Sequence, residues 1–523
     1  MEVRVTRVKT AVWMGTMAAV VLAAGSMRAQ TSKAPVAQAP AVSAAARIDE
    51  ALAAMGGEAV LRGIKSLTLE SIGHGWALEQ SERPEGPWLS SYVQRTEVRD
   101  YAKSRQWFEA QRRDWNAPKW SALVATVVAD GVVGRTNGER WLSGSPLDLT
   151  AWNETQALAP ERILLTAKAA ADLKVLPDDT QQRVRQHVLG FSRTGQRIRL
   201  YLNAWTHLPT SIEIVQDDRF GIWGDVTERR SLGFWTLEAG GLMYPRQITT
   251  EWNNLPFADE TVQTLTIDAA VDEAKFAIPD AVKTQFAQVA ARPFGMSSIV
   301  LDPSKAVTLA PGLVQFPSGF NVAVVSQADG LVILEATTGS SFTQQVIAAA
   351  EKQFPGKKVK AVVTTSDAWP HVGGIREYVA KGIPVYALDL NVSILTRILK
   401  APRTFAPDTL SKAPKAPVFR SVADRMTLGS GDTRMELIPV RGETGERMML
   451  VWFPGLKLLY SSDLIQRDRT GKSFFMMEMP AEVVNTVARE KLDGIDKVFG
   501  MHLPPTEWSE ITSAVRKAQA RGN

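Results

Sequence analysis

Residues 364–374 place several chemically capable side chains within one short loop. Ser366 offers a hydroxyl, Asp367 a carboxylate and His371 an imidazole, and two glycines close the segment. The apolar run before the loop, residues 359–363, has the pattern of a buried strand, and the residues after the glycines have the pattern of a helix. A loop of this make-up, between a strand and a helix, raises the question of metal or acid–base chemistry.

The loop resembles the signature of the metallo-β-lactamase superfamily, which reads Thr, His, any residue, His, any residue, Asp, His, any residue, Gly, Gly. His371 and the paired glycines match this signature. The two early histidines and the aspartate of the family are replaced here by Ser366, Ala368 and Pro370.

Three further segments are similar to the same superfamily, in the same chain order. Leu331–Ala336 stands where the family usually has an apolar strand that ends in Asp. Phe453–Asp463 is similar to the hairpin that leads to the bridging aspartate, with Ser462 in place of Gly, and Val498–His502 to the strand that delivers the last histidine. The resemblance implies an αββα sandwich over residues 301–523.

Family members typically hold two divalent ions, and the resemblance implies that one of these two positions is lost. The chain has five histidines, of which three lie before residue 301. The other position keeps His371, Asp463 and His502, which are enough to hold one zinc or iron ion. Asp367, on the same loop, and Glu443 are the two candidates for a replacement oxygen ligand, and Asp367 and His371 are the candidate catalytic residues.

Two alternatives to a metal site stay open. In the first, no metal is bound, and His371 and His502 are inherited residues that hydrogen-bond to Asp463. In the second, Ser366 or Ser462 forms a relay with His371 and Asp463. Gly373 and Gly374 are interpreted as close packing between strand and helix rather than as an anion cradle.

The first half of the chain alternates apolar and polar residues in segments that predict antiparallel strands, with a helical interruption at residues 160–173. It resembles the periplasmic lipoprotein-carrier architecture in residues 55–57, 64–67, 244–248 and 271–279, which implies an incomplete β-barrel. Eleven of the 15 tryptophans lie between Trp76 and Trp252. They either fill the core or line a pocket for an apolar ligand.

The predicted organisation is a signal peptide at 1–29, a flexible linker at 30–46, a lipoprotein-carrier-like β domain at 47–285, a second linker at 286–300 and a metallo-β-lactamase-like domain at 301–523. The signal has a basic start and an apolar run of about 15 residues, which is short for a ~30 Å membrane core. The sequence holds no cysteine, and therefore no lipoprotein acylation site. These features predict a bacterial protein that is periplasmic or secreted.

The fold class predicted is therefore α+β, with a β domain followed by a sandwich. The formal net charge of +5 over 523 residues is small, so no nucleic-acid partner is expected, and no integral membrane domain is predicted. The first functional hypothesis is a hydrolase-like protein that acts on an ester or amide bond with one metal ion. The alternative is a non-catalytic periplasmic protein that binds a small or lipid-like hydrophobic ligand. The sequence leaves enzyme status and oligomeric state open.

Overall fold

The structure is a computed structural model that describes residues 42–78, 86, 88–114, 119–218, 222–292, 299–468 and 471–522. The predicted signal peptide and most of the first predicted linker lie outside these residues. Ser43–Asn523 pack as one unit, and the predicted domain boundaries within it stay predictions. No helix in the described part of the chain is long and apolar enough to cross a membrane.

The first half forms one 13-stranded antiparallel sheet in the order β6-β5-β4-β3-β2-β1-β13-β12-β11-β10-β9-β8-β7. Because β6 and β7 end the order, the sheet does not close within the described residues. The predicted antiparallel strands are confirmed, and the incomplete barrel stays a prediction. Its strands are β1 Ser66–Trp76, β2 Ser90–Asp100, β3 Arg105–Asp114, β4 Val124–Ala129, β5 Val132–Thr136, β6 Trp141–Ser143, β7 Lys174–Gln181, β8 Val184–Arg193, β9 Gln196–Asn203, β10 Pro209–Asp217, β11 Asp225–Leu237, β12 Met243–Trp252 and β13 Leu255–Ile267.

Five helices pack against this sheet: α1 Ala44–Ala54, α2 Glu58–Gly63, α3 Pro146–Leu158, α4 Ile163–Ala169 and α5 Asp280–Ala290. The main core of this half lies between α1, α2, α3, α4 and the strands, and contains Ile48, Ile163, Leu200 and Tyr244. Helix α1 ends before Gly56, as its sequence predicts. A Cβ at Gly56 would lie 2.2 Å from the Gly241 carbonyl oxygen, and its φ is +107°.

The second half contains two sheets. The first holds β14 Val307–Ala310, β15 Leu313–Phe316, β16 Val322–Gln327, β17 Gly330–Leu334, β18 Val359–Thr364, β19 Val385–Leu388 and β20 Phe419–Val422 in chain order. It is antiparallel up to β17 and parallel from β17 to β20. The second holds β21 Met426–Leu428, β22 Met435–Pro439, β23 Met449–Phe453, β24 Leu458–Tyr460, β25 Lys497–Phe499 and β26 Thr506–Glu507.

The two sheets face each other across an apolar core that includes Val325, Val363, Leu437 and Phe499. The outer face of the first sheet is covered by helices α6 Ser340–Gln353, α7 Trp369–Val372, α8 Ile375–Ala380, α9 Val392–Lys400 and α10 Thr409–Lys412. The outer face of the second is covered by α11 Glu478–Arg489 and α12 Trp508–Gly522. The layers are therefore helix, sheet, sheet and helix, in the arrangement that the sequence predicts for this half.

The segment between α9 and α10 is docked on the 13-stranded sheet next to the start of β11. The Asp225 amide donates to the Pro402 carbonyl at 2.7 Å, and the Asp225 carboxylate accepts from the Thr404 amide at 2.9 Å. The Arg397 guanidinium lies 4.5 Å from the ring centroid of Trp223, and that tryptophan belongs to the same apolar core as α9. These contacts connect the sandwich to the large sheet, and we call residues 402–404 with Asp225 the clamp.

Candidate functional site

Glu335 stands at the end of β17, where the chain leaves the first sheet. Its φ is +81°, which is rare for a residue with a side chain, and the residue is fully buried. The Glu335 amide donates to the Val363 carbonyl at 2.8 Å, so the neighbouring strand β18 fixes the turn. This geometry aims a carboxylate into the space between the sheets and the loop that follows β18.

The loop after β18 brings His371 to this carboxylate. His371 lies on α7, a single turn that begins with Trp369 and Pro370, and the His371 carbonyl accepts from the Ala336 amide at 3.0 Å. Proline is well suited to this first turn, because its amide would lack a partner there.

The two glycines after His371 are required by close contact between segments. A Cβ at Gly373 would lie 2.3 Å from the Thr338 carbonyl oxygen, and one at Gly374 would lie 2.0 Å from the Thr343 hydroxyl oxygen. This geometry agrees with the close packing that we infer from the sequence.

The His371 ring lies between two carboxylates and has no exposed surface. Its Nδ1 is 2.9 Å from Glu335 Oε2, and its Nε2 is 2.8 Å from Asp463 Oδ2. Burial alone would lower the pKa of His371, but the charges of Glu335 and Asp463 together raise it to about 10. The two carboxylates therefore favour the protonated form of the His371 ring.

Asp463 follows β24, on the second sheet. The neighbouring Ser462 has φ +54°, and its hydroxyl lies 2.7 Å from that of Thr365, which is also hydrogen-bonded to Glu335. Burial tends to raise the pKa of Asp463, but the adjacent His371 and His502 lower it overall, so the carboxyl is ionised.

His502 completes the predicted set on the other side of Asp463. Its Nε2 is 3.5 Å from Asp463 Oδ1, and its ring packs edge-on against Phe320 with centroids 5.4 Å apart. Burial lowers the pKa of His502 despite the attraction of Asp463. The three side chains that the resemblance selects are thus close together, in the order His371, Asp463, His502.

A cavity of about 190 Å³ opens beside Asp463. Asp463, Asp367 and Arg447 line it, and Arg447 Nε is 3.9 Å from Asp367 Oδ2. The remaining wall is largely apolar and includes Met448, Phe475, Met476 and Met479. His371 and His502 are not part of the lining, so Asp463 and Asp367 are the predicted site residues that face the cavity.

The donor set does not fit a metal ion. Both His371 nitrogens already face carboxylate oxygens, and a metal ligand needs an unprotonated ring nitrogen. Pro370 supplies no side-chain oxygen where the family has its aspartate. Among the described residues, no group of three or more His, Cys, Asp or Glu side chains could hold a metal ion. The predicted zinc or iron ion is not supported by this geometry.

The serine relay is also not formed through His371. The Nε2 atom that would receive a serine proton lies at hydrogen-bonding distance from Asp463 Oδ2, and Nδ1 faces Glu335. The catalytic roles of Asp367 and His371 stay predictions. The residue that sequence reasoning did not select is Glu335, although its place at the end of an apolar strand was the available signal.

No protein-family model and no curated protein matches the chain. Similar solved structures include a metallo-beta-lactamase from Pontibacter korlensis, with 16% identity over 41% of this chain and 98% of that chain and a TM-score of 0.32. A metallo beta lactamase from Erythrobacter litoralis has 16% identity over 41% of this chain and 96% of that chain, with a TM-score of 0.31. The stereoselective inverting sec-alkylsulfatase Pisa1 from Pseudomonas sp. has 16% identity over 41% of this chain and 40% of that chain, also with a TM-score of 0.31. Scores this low establish neither family nor activity, so the site is interpreted from its own geometry.

Proposed function

We propose that the chain is an exported, hydrolase-like protein that acts on an ester or amide bond in the cavity beside Asp463. The observation that carries the proposal is the placement of Asp463. Asp463 lines the cavity, and its Oδ2 atom lies 2.8 Å from His371 Nε2. Export to the periplasm or beyond rests on the predicted signal at residues 1–29, and it is part of the proposal.

In this proposal Asp463 orients a water molecule and accepts its proton as the water oxygen attacks the carbonyl carbon. The C–O or C–N bond then breaks, and the leaving group takes the proton from Asp463. Arg447 lines the same cavity, and its guanidinium would stabilise negative charge on the carbonyl oxygen. Asp367 orients that guanidinium, and His371 acts through Asp463 as a positioning residue.

The experiment is an ester and amide panel with the full mature chain, purified without a histidine tag and assayed with and without EDTA. Asp463→Asn should lower kcat/KM by about 10²-fold, because general-base catalysis contributes about 10²–10⁴-fold. The matched control is Asp329→Asn, which changes an exposed aspartate that pairs with Lys360. Equal activity of the two variants, with both folded by circular dichroism, would contradict the role of Asp463.

We propose binding of a hydrophobic ligand as a second candidate function, on the basis of a separate cavity of about 410 Å³ on the 13-stranded sheet. Its size lies within the ~300–1,000 Å³ typical of ligand sites. Its lining includes apolar residues of β1, β2, β12 and β13, namely Ile72, Trp76, Val93, Ile248 and Phe257, together with the charged residues Arg95, Arg112, Asp259 and Glu260. This candidate would be favoured if the protein hydrolyses none of the esters and amides but binds an apolar dye saturably. Val93→Trp should then weaken dye binding.

A further inference from the structure

The protonation state of the His371 ring determines how many hydrogen bonds it can donate. A neutral histidine has one N–H and one acceptor nitrogen, whereas the protonated ring donates from both nitrogens. In this chain both nitrogens of a fully buried ring face carboxylate oxygens, at 2.9 and 2.8 Å. Carboxylate oxygens only accept when ionised, so a neutral ring would leave one of these two contacts repulsive.

The environment of Glu335 supports the same conclusion. Its carboxylate accepts hydrogen bonds from the Tyr460 hydroxyl at 3.0 Å, from the Thr365 amide at 3.2 Å and from the Thr365 hydroxyl. All of these partners are neutral. A buried, ionised carboxylate without a nearby positive charge is costly, and the His371 ring is a group in contact with Glu335 that can carry such a charge.

We propose that the imidazolium of His371 is the resident cation of this site and takes the place of a metal ion. It joins Glu335, at the end of β17 in the first sheet, to Asp463, after β24 in the second sheet. The site therefore assembles without a metal, and Glu335 is the positioning residue that fixes the ring. The proposal concerns assembly of the site and holds whether or not the cavity hydrolyses an ester.

Binding of a metal ion at His371 would require a rearrangement of the ring and of Asp463. A metal ion on Nε2 of His371 would have to remove a proton and displace Asp463 Oδ2 from hydrogen-bonding distance. Asp463 and His502 would then supply two more ligands, and water the remainder. Metal analysis and ring protonation therefore separate the two arrangements.

The first test uses the unaltered full chain. Protein expressed with zinc and iron in the medium is analysed for metal content, titrated with zinc chloride by calorimetry, and labelled with ¹⁵N in its histidines. We expect no stoichiometric metal, no change of Tm in EDTA, and ¹⁵N shifts of His371 that show both nitrogens protonated at neutral pH. One zinc or iron per chain that EDTA removes with a lowered Tm, or an unprotonated Nε2, would overturn the proposal.

The second test is a double-mutant cycle of His371→Gln and Glu335→Gln, read as chemical denaturation. Glutamine keeps one donor but removes the positive charge, so His371→Gln should be strongly destabilising in the parent chain and much less so after Glu335→Gln. The matched control is His187→Gln, since His187 is largely buried but faces one carboxylate, Asp178, at 3.1 Å. Additive effects of the two substitutions would contradict the proposed ion pair.

Discussion

At the scale of single residues, the site is defined by the two carboxylates that lie beside the His371 ring. Pro370 and Ala368 stand where the signature that the loop resembles has ligands, and His371 is fully buried beside Asp463. Glu335 and Asp463 face its two nitrogens, and a tyrosine, a threonine and a serine surround them. The polar cluster is therefore internally consistent, and its chemistry differs from that of a metal centre.

The structure leaves no space for a side chain at Gly374. Gly374→Ala should lower the free energy of unfolding by about 1–3 kcal/mol, because the new methyl group meets the Thr343 hydroxyl and two carbonyl oxygens. Gly319→Ala is the control, since a Cβ there meets no atom within 4 Å. Urea denaturation of both variants measures the difference. Similar free energies for the two variants would show that the loop has space that the structure does not indicate.

The sequence allowed the residues of this cluster to be grouped but not their roles to be assigned. The resemblance selected His371, Asp463 and His502, and the structure places Asp463 next to both histidines. The partner of the second His371 nitrogen is Glu335, 36 positions earlier, and periodicity does not show which way a strand-terminal side chain points. The positive φ at Glu335 sets that direction, and it arises from tertiary packing.

At the scale of elements, strands were predicted better than helices in the first half of the chain. Alternation predicted segments that fall within β1, β9, β10, β12 and β13. The predicted helical interruption at residues 160–173 corresponds to α4, whereas α3 was not predicted. Ser145 and Asp148 form a capping box at its start, which was a readable signal. The apolar residues of α3 are not concentrated on one face of the helix, so helical periodicity alone did not reveal it.

The clamp gives a prediction for the connection between sandwich and sheet. Asp225→Ala removes the acceptor for the Thr404 amide and hydroxyl. Amide exchange in residues 403–405 should accelerate about tenfold or more, because hydrogen bonds to a charged group are worth about 1.5–3 kcal/mol. Hydrogen–deuterium exchange with mass spectrometry measures this.

The control for the clamp is Asp302→Ala, in which the lost carboxylate accepts from a neighbour in its own turn, the Ser304 amide. Its effect on residues 403–405 should be negligible. Unchanged exchange in Asp225→Ala would mean that the apolar contacts at Trp223 hold the segment without the carboxylate.

At the scale of the whole molecule, strands of the 13-stranded sheet carry an ionic network with a buried part at Arg99 and a partly exposed part at Arg95. Arg99 bonds Glu97 at 2.8 Å and Glu161 at 2.9 Å, and Arg95 bonds Glu260 at 2.6 Å. Burial tends to raise the pKa of Glu97, but Arg99 and Arg95 lower it from 4.5 to about 2. Such a network is weak evidence for stability at neutral pH, and it makes the fold sensitive to acid.

The lowered pKa of Glu97 determines how the stability of the fold depends on pH. A carboxyl whose pKa is lowered by folding contributes stability above its unfolded value, and this contribution is lost as the pH falls. The free energy of unfolding should therefore decrease from about pH 4.5 to about pH 2, and Glu97→Gln should flatten that decrease. Glu139→Gln, at an exposed turn, is the control. A slope in Glu97→Gln equal to that of the parent chain would exclude Glu97 as a source.

The two free edges of the large sheet have a consequence for self-association. β6 is only three residues long, and β7 carries Pro177, Asp178 and Asp179 where its pairing register shifts. Proline lacks an amide hydrogen, the aspartates repel a like strand, and a three-residue edge gives little template. The sheet can therefore keep two edge strands without pairing with strands of neighbouring copies. We expect the protein to resist polymerisation through these edges.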